Sequence, residues 1–352
     1  MADNKDKKVL NVPALRFPEF TEEWREYAIG NVLSIGNGRD YKHLHNGDIP
    51  VFGTGGYMTS VDDFLYDGES VFIGRKGTIN KPLYYNGKFW TVDTLFYTHS
   101  FVNVLPKFAY CLFQTINWLK YNEASGVPSL SKATIEKIKV RVPSMDEQGK
   151  LSNQLFLLDK RIEVQNKIIE KLETLIKGII ETVISSQKPN TFIKNCLECD
   201  SSTLQESQVA ENGAYPVYGA TGISGYTETA DVNGEAILIT KDGSGVGTVK
   251  FADGEYSYIG TLNRLIAREG YCLKYLYFAL QGFCFEPYKT GMAIPHIYFK
   301  DYGKAKIFCP TIEEQSIIAK SLSVIENKIS VEKQILFCNQ LQKSYLLSQM
   351  LI

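Results

Sequence analysis

The sequence predicts an α+β protein: two tandem-repeated globular domains of short strands and helices, separated by two long antiparallel coiled-coil helices with pseudo-twofold symmetry. Three observations predict it: an internal repeat, a strand-rich first part in each copy, and a heptad seam in the second part. Pro50-Val51-Phe52-Gly53 recurs as Pro216-Val217-Tyr218-Gly219 at an offset of 166, with Gly68-Glu69 recurring as Gly234-Glu235 and Gly77 as Gly243. After one inserted residue the offset becomes 167. Asn86-Gly87 then maps to Asp253-Gly254, Thr94-Leu95 to Thr261-Leu262, Pro128 to Pro295, Pro143 to Pro310 and Glu147-Gln148 to Glu314-Gln315. A register kept over that many positions marks a duplicated chain.

Taken in order, residues 1–145 form the first domain. Its Gly-, Tyr-, Phe- and Val-rich stretches, such as Val71–Ile73 and Leu83–Tyr85, read as short strands with an Asn-Gly turn at Asn86-Gly87. Lys107–Tyr121 is apolar at helical spacing. Residues 146–187 follow Pro143 as a long helix. Leu151, Leu155, Leu158, Ile162, Gln165, Ile169, Leu172, Ile176, Ile179 and Val183 step by 4 and 3, a coiled-coil seam with one polar member. The 42 residues from Asp146 to Gln187 would span about 63 Å. Residues 188–312 repeat the first domain, with strands such as Ala236–Thr240 and a helix over Leu273–Phe283. Residues 313–352 repeat the helix. Its seam is Ile318, Leu322, Ile325, Ile329, Glu332, Leu336, Asn339, Lys343, Leu346 and Met350, weakening after Leu336. The polar member recurs at one place, Gln165 against Glu332, where it costs stability and fixes register. The two helices can pair within the chain, placing the domains at opposite ends of a rod; pairing between two chains is the other use of such a seam.

Composition narrows the function classes. The 352 residues carry 38 basic and 39 acidic side chains, 44% hydrophobic and 22% charged residues, close to a globular average. No apolar run reaches the ~18 residues of a membrane span, and Met1–Lys8 is too polar for a leader. Seven cysteines suit a reducing cytoplasm better than a disulfide scaffold. The net charge of −1 lacks the basic footprint usual in nucleic-acid binders. Divided by repeat, residues 1–145 hold 17 basic and 15 acidic side chains, and 188–312 hold 11 and 13.

The arrangement resembles the specificity subunit of type I restriction-modification systems, and the likeness covers nearly the whole chain. Val12-Pro-Ala-Leu-Arg-Phe-Pro-Glu-Phe-Thr-Glu-Glu-Trp24 is similar to that family's opening. Ser125-Gly-Val-Pro-Ser-Leu-Ser131 and Lys139–Gln148 are similar to its passage from recognition domain to helix; Thr290–Ile297 and Ile307–Gln315 are looser versions. The resemblance implies two target recognition domains, each reading one half of a bipartite, asymmetric DNA sequence, with the helices setting the spacer. It implies docking of two methyltransferase subunits and two restriction/translocase subunits. S-adenosylmethionine, ATP and Mg would sit on those partners, with no cofactor and no metal on this chain.

Motifs that suggest chemistry have simpler readings. Phe52-Gly53-Thr54-Gly55-Gly56 resembles a methyltransferase cofactor loop, yet Tyr218-Gly-Ala-Thr-Gly222 occupies the equivalent place and no Pro-Pro occurs anywhere. Both read as strand-end turns. Gly243–Gly247 lacks the Lys-Ser/Thr of a phosphate loop. Cys196-x-x-Cys199 is a single pair without flanking histidine at zinc spacing, and His43, His45, His99 and His296 are scattered. The chain is read as non-catalytic by itself.

DNA reading needs Arg or Lys for phosphates and guanines and a backbone that approaches closely. The candidates are Arg39, Tyr41 and Lys42 in one polar loop, Arg75 and Lys76 at a strand end, and Lys81 beyond. Lys241, Asp242 and Ser244 lie in the matching turn, with Lys250 after it. Both copies carry a glycine-flanked basic turn at one repeat position. For Ser125–Pro128 and Thr290–Pro295, approach to DNA and shaping of the helix entry both stay open. The alternative for the whole chain is a coiled-coil scaffold whose two heads bind protein or glycan. A piece of a single-chain methyltransferase–endonuclease is a third.

Overall fold

The computed structural model describes residues 11–352, so Met1–Lys8 lies outside the described residues. The described chain divides into two compact units, one running to Asn166 and including Ile335–Ile352, the other comprising Lys167–Gln334.

In the first unit β1 (Arg25–Ala28) and α1 (Ile29–Val32) lead into β2 (Ser34–Asn37), β3 (Asn46–Gly53), β4 (Gly56–Val61), β5 (Tyr66–Gly74), β6 (Leu83–Thr91) and β7 (Leu95–His99). Then come α2 (Pro106–Thr115), α3 (Lys132–Lys137), β8 (Lys139–Val142) and the start of α4 (Met145–Ile179). Six strands form one sheet in the order β2-β7-β5-β6-β3-β4, while β1 and β8 pair antiparallel beside the entry to α4. Asn86-Gly87 is no turn: it lies inside β6, where Gly87 faces Gly68 of β5. Both glycines have positive φ, +128° and +139°, which L side chains disfavour. The pair bends both strands, and the sheet curls: Phe52 on β3 reaches Phe72 on β5, ring centroids 5.2 Å apart, across the intervening β6.

In the second unit β9 (Thr191–Phe192), α5 (Ile193–Cys196), β10 (Leu197–Ser201), β11 (Tyr215–Gly219), β12 (Gly222–Thr227), β13 (Val232–Asn233), β14 (Ala236–Thr240), β15 (Val249–Ala252), β16 (Glu255–Tyr258) and β17 (Leu262–Ala267) precede α6 (Leu273–Gln281), α7 (Phe299–Tyr302), β18 (Lys306–Ile307) and the start of α8 (Ile312–Met350). Here the glycine bend breaks the strands outright: the Gly234 amide donates to the Gly254 carbonyl at 2.8 Å, and two four-stranded sheets result, β10-β17-β14-β15 and β12-β11-β16-β13.

Each unit buries one stretch of helix pairing. In the first, Leu151, Leu155 and Leu158 of α4 share the core with Leu346 and Met350 of α8, alongside Phe108, Leu112 and Trp118. In the second, Ile180 and Ile184 pack with Ala319 and Leu322. The early end of α4 thus meets the late end of α8, and the reverse. Ile169 and Ile329 are buried, and Ile162, Leu172, Ile318, Ile325 and Leu336 half-buried.

Two expectations about the seam change. Val183 is 37% exposed and Ile184 takes its place, because Ile180–Ser185 is π-helix and one extra residue per turn advances the register. The seam also continues past Leu336, with polar members in it. Asn339, Leu346 and Met350 are buried, and Lys343 reaches Asp159 at 2.5 Å and Gln114 at 2.6 Å.

Candidate nucleic-acid interface

In the first unit the connection from β6 to β7 gathers the basic loops. Arg39 donates its amide to the Thr91 carbonyl at 2.8 Å, and Trp90 Nε1 donates to the Arg39 carbonyl at 2.8 Å, so the loop carrying Arg39, Tyr41 and Lys42 is pinned to the end of β6. Arg75 donates its amide to the Thr94 carbonyl at 2.8 Å, placing the basic turn against the same connection. Its guanidinium lies 5.8 Å from the Phe96 ring, a cation–π contact that leaves the group half-buried. Arg39, Lys42 and Lys76 are exposed.

The basic turn in turn holds the Ser125–Pro128 loop. Gly77 donates its amide to the Pro128 carbonyl at 2.8 Å and Leu130 donates to the Arg75 carbonyl at 2.9 Å, closing a bridge between Lys76 and Ser129. The β3–β4 turn is adjacent: a Cβ on Gly77 would lie 3.9 Å from Thr54 Oγ1. The glycine run Phe52–Gly56 is accordingly a hairpin end in which Gly53 faces Gly56.

The second unit repeats the three backbone bonds of the basic turn with other side chains. Lys241 donates its amide to the Thr261 carbonyl at 2.9 Å, Gly243 to the Pro295 carbonyl at 2.9 Å, and Ile297 to the Lys241 carbonyl at 2.9 Å. Asp242 bridges His296. Lys241 Nζ donates to Ser201 Oγ at 3.2 Å, and Ser244 is exposed at the turn.

Two candidates stand apart from these frames. Lys250 is half-buried and its ammonium donates to the Ala220 carbonyl at 2.9 Å, so it ties down the β11–β12 turn; burial holds its pKa below the usual lysine value. Lys81 is exposed ahead of β6, and none of the contacts above involves it. Conversely, the loop between β10 and β11, the counterpart of the β2–β3 loop that carries Arg39 and Lys42, presents exposed Gln205 and Gln208. Their segment is held by a capping box and by Gly260, whose amide donates to the Leu204 carbonyl at 2.8 Å.

Each head is also fastened to its helix. Fully buried Gln148 accepts from the Leu105 amide at 2.8 Å and donates to the Asn103 and Pro143 carbonyls at 3.0 Å each. Gln315 likewise accepts from the Cys272 amide at 3.0 Å and donates to the Pro310 carbonyl at 2.9 Å. Cys196 is buried and donates its thiol to the Ile193 carbonyl at 3.2 Å. Among the described residues, no group of three or more His, Cys, Asp or Glu is placed to hold a metal ion. No helix among the described residues is long and apolar enough to cross a membrane.

A family model, the type I restriction modification DNA specificity domain, matches residues 21–174 and 197–337. A Haemophilus influenzae protein described as a type I restriction enzyme specificity subunit is 22% identical over 329 residues, covering 80% of this chain and 81% of the relative. The Escherichia coli type I restriction enzyme EcoprrI specificity subunit is 27% identical over 167 residues, 44% of this chain and 40% of the relative. The fold is shared with the S subunit of the M. genitalium type I restriction-modification system, with a TM-score of 0.77 at 16% identity over 97% of this chain and 99% of that one. A chain from the structure of another type I system has a TM-score of 0.50 at 14% identity, covering 93% and 96%.

Proposed function

Because the chain belongs to the type I restriction-modification DNA specificity family, whose model matches both of its repeated halves, we propose that it reads an interrupted, asymmetric DNA target, one half-site with each head. Residues 1–145 and 188–312 act as the two recognition domains, and 146–187 with 313–352 act as the spacer helices that fix the interval between half-sites. Two methyltransferase and two restriction/translocase subunits dock to the chain in the cytoplasm and bring S-adenosylmethionine, ATP and Mg; this chain contributes sequence choice and no catalytic group.

One observation carries the reading: the same backbone frame, a basic turn hydrogen-bonded to a second loop, recurs in both heads with different side chains on it. A shared frame fits a shared task, and Arg75 and Lys76 against Lys241 and Asp242 fits two different half-sites. Arginine and lysine pair with guanine edges and phosphates, glutamine with adenine. The near-neutral charge of each domain leaves much of the phosphate grip to the partner subunits. A scaffold whose heads bind protein or glycan would not require membership of a DNA specificity family.

Charge reversal in one head at a time tests the division of labour. With the methyltransferase partner present, Lys76→Glu should weaken or alter methylation through one half of the recognised motif and Lys241→Glu through the other. If both substitutions alter the same half, or neither alters any, the assignment of one half-site to each head fails.

A further inference from the structure

The loops clamped by the two basic turns end in apolar side chains that nothing in the head covers. Val127 is 68% exposed, Met292 fully exposed and Ile294 66% exposed. Exposing large apolar groups wastes burial that each could supply. A flexible loop could fold such side chains back onto the protein; these loops are braced against doing so. In the first head Asn122 accepts from the Ala124 and Ser129 amides at 3.1 and 2.9 Å and donates to the Ala124 carbonyl at 2.7 Å. In the second, Thr290 and His296 exchange both backbone hydrogen bonds at 2.9 and 2.8 Å. Gly291 has φ +89°, and a Cβ there would fall 2.4 Å from the Ile294 carbonyl oxygen, so the hairpin tip is locked. The two braces use unrelated residues, yet both carry an apolar tip two residues from the basic turn's bridge: Val127 precedes Ser129, the bridge partner of Lys76, and Ile294 precedes His296, the bridge partner of Asp242.

We propose that Val127 in the first head, and Met292 with Ile294 in the second, are specificity-determining contacts that pack against the 5-methyl groups of thymines in the DNA. This rests on the reading of the chain as a DNA-specificity subunit. The physical case is the pairing of chemistries: the basic turn holds a phosphate, and the rigid tip of the loop it braces meets the one apolar group exposed on a base edge in the major groove. Discrimination then needs no hydrogen bond from the tip, and swapping tip residues alters the half-site without altering the frame.

The test uses the complex of this chain with its methyltransferase subunits, on a duplex carrying the motif that the complex methylates. Thymines in the half-site are replaced singly by deoxyuridine, which removes only the methyl group. At one or more thymines of the second half-site the wild-type complex should bind about fourfold more weakly per methyl removed. The Met292→Ser/Ile294→Ser variant should bind the unmodified site more weakly and lose its sensitivity to deoxyuridine there; Val127→Ser should do so only in the other half. A wild-type complex indifferent to deoxyuridine at every thymine overturns the proposal, as does a variant as sensitive as wild type. Absence of any interrupted motif in the wild type would instead remove the DNA-reading assignment beneath it. Because all three side chains are exposed, folding of the variants is checked by an unchanged circular dichroism melt.

Discussion

Replacing Gln148 by methionine should be the most damaging near-isosteric change at the base of the first head. The substitution keeps chain length and removes three hydrogen bonds with the backbone, one from the Leu105 amide and two to the Asn103 and Pro143 carbonyls. Asn103 is exposed and its carbonyl can find water, whereas the Pro143 bond is buried and the Leu105 amide half-covered. Two orphaned groups at about 1–3 kcal/mol each, less the apolar gain of methionine, give a loss of about 3 kcal/mol. The assay follows from the sequence: Trp24, Trp90 and Trp118 are the chain's three tryptophans and all lie in the first unit, so tryptophan fluorescence in urea reports that unit. The fluorescence-detected transition should fall by that amount. A change under about 1 kcal/mol would refute the idea that this glutamine fastens head to helix.

Further outcomes follow from the same geometry. Gln315→Met removes two such bonds and should destabilise the second unit by about 2 kcal/mol, read by circular dichroism. Arg75→Ala with Lys76→Ala should lower the slope of log binding constant against log salt by up to about 0.9 for each phosphate left without its cation, measured with the methyltransferase complex; an unchanged slope would show that neither side chain touches phosphate. Gly74→Ala should destabilise the first head, because its Cβ would lie 2.1 Å from the Thr78 carbonyl oxygen; an unshifted melt would contradict that packing. Inserting one heptad into both helices adds about 10 Å to each while keeping the seam, and should lengthen the preferred spacer by about three base pairs. A spacer that stays the same length would remove the ruler.

The fold was legible where periodicity or repetition wrote it down. Leu151, Leu155, Leu158 and Leu322 announced their burial by spacing alone, since a 3.5-residue period has few structural solutions. The repeat in turn disclosed that Gly53 and Gly219 end equivalent hairpins. What could not be read depended on partners distant in the chain. Asn339 and Lys343 looked like a fading seam because Asp159 and Gln114, which accept Lys343, lie far away in sequence. Asn86-Gly87 looked like a turn because positive φ serves a turn and a strand bend equally; its facing Gly68 decides between them. The π segment at Ile180–Ser185 has no sequence period of its own, so Val183 was placed one residue from the buried position. At the candidate interface each loop was visible by itself. That the basic turn grips the second loop, through Gly77 to Pro128 and Gly243 to Pro295, emerges only from the backbone hydrogen bonds.

Two heads on one chain are proposed to read two different half-sites at a fixed interval. Single-molecule sequencing of modified bases in a host carrying this chain and its methyltransferase partner tests it most directly. The methylome should show one interrupted, asymmetric motif with a methylated adenine in each half. A continuous short motif, or a symmetric one with identical halves, would contradict it.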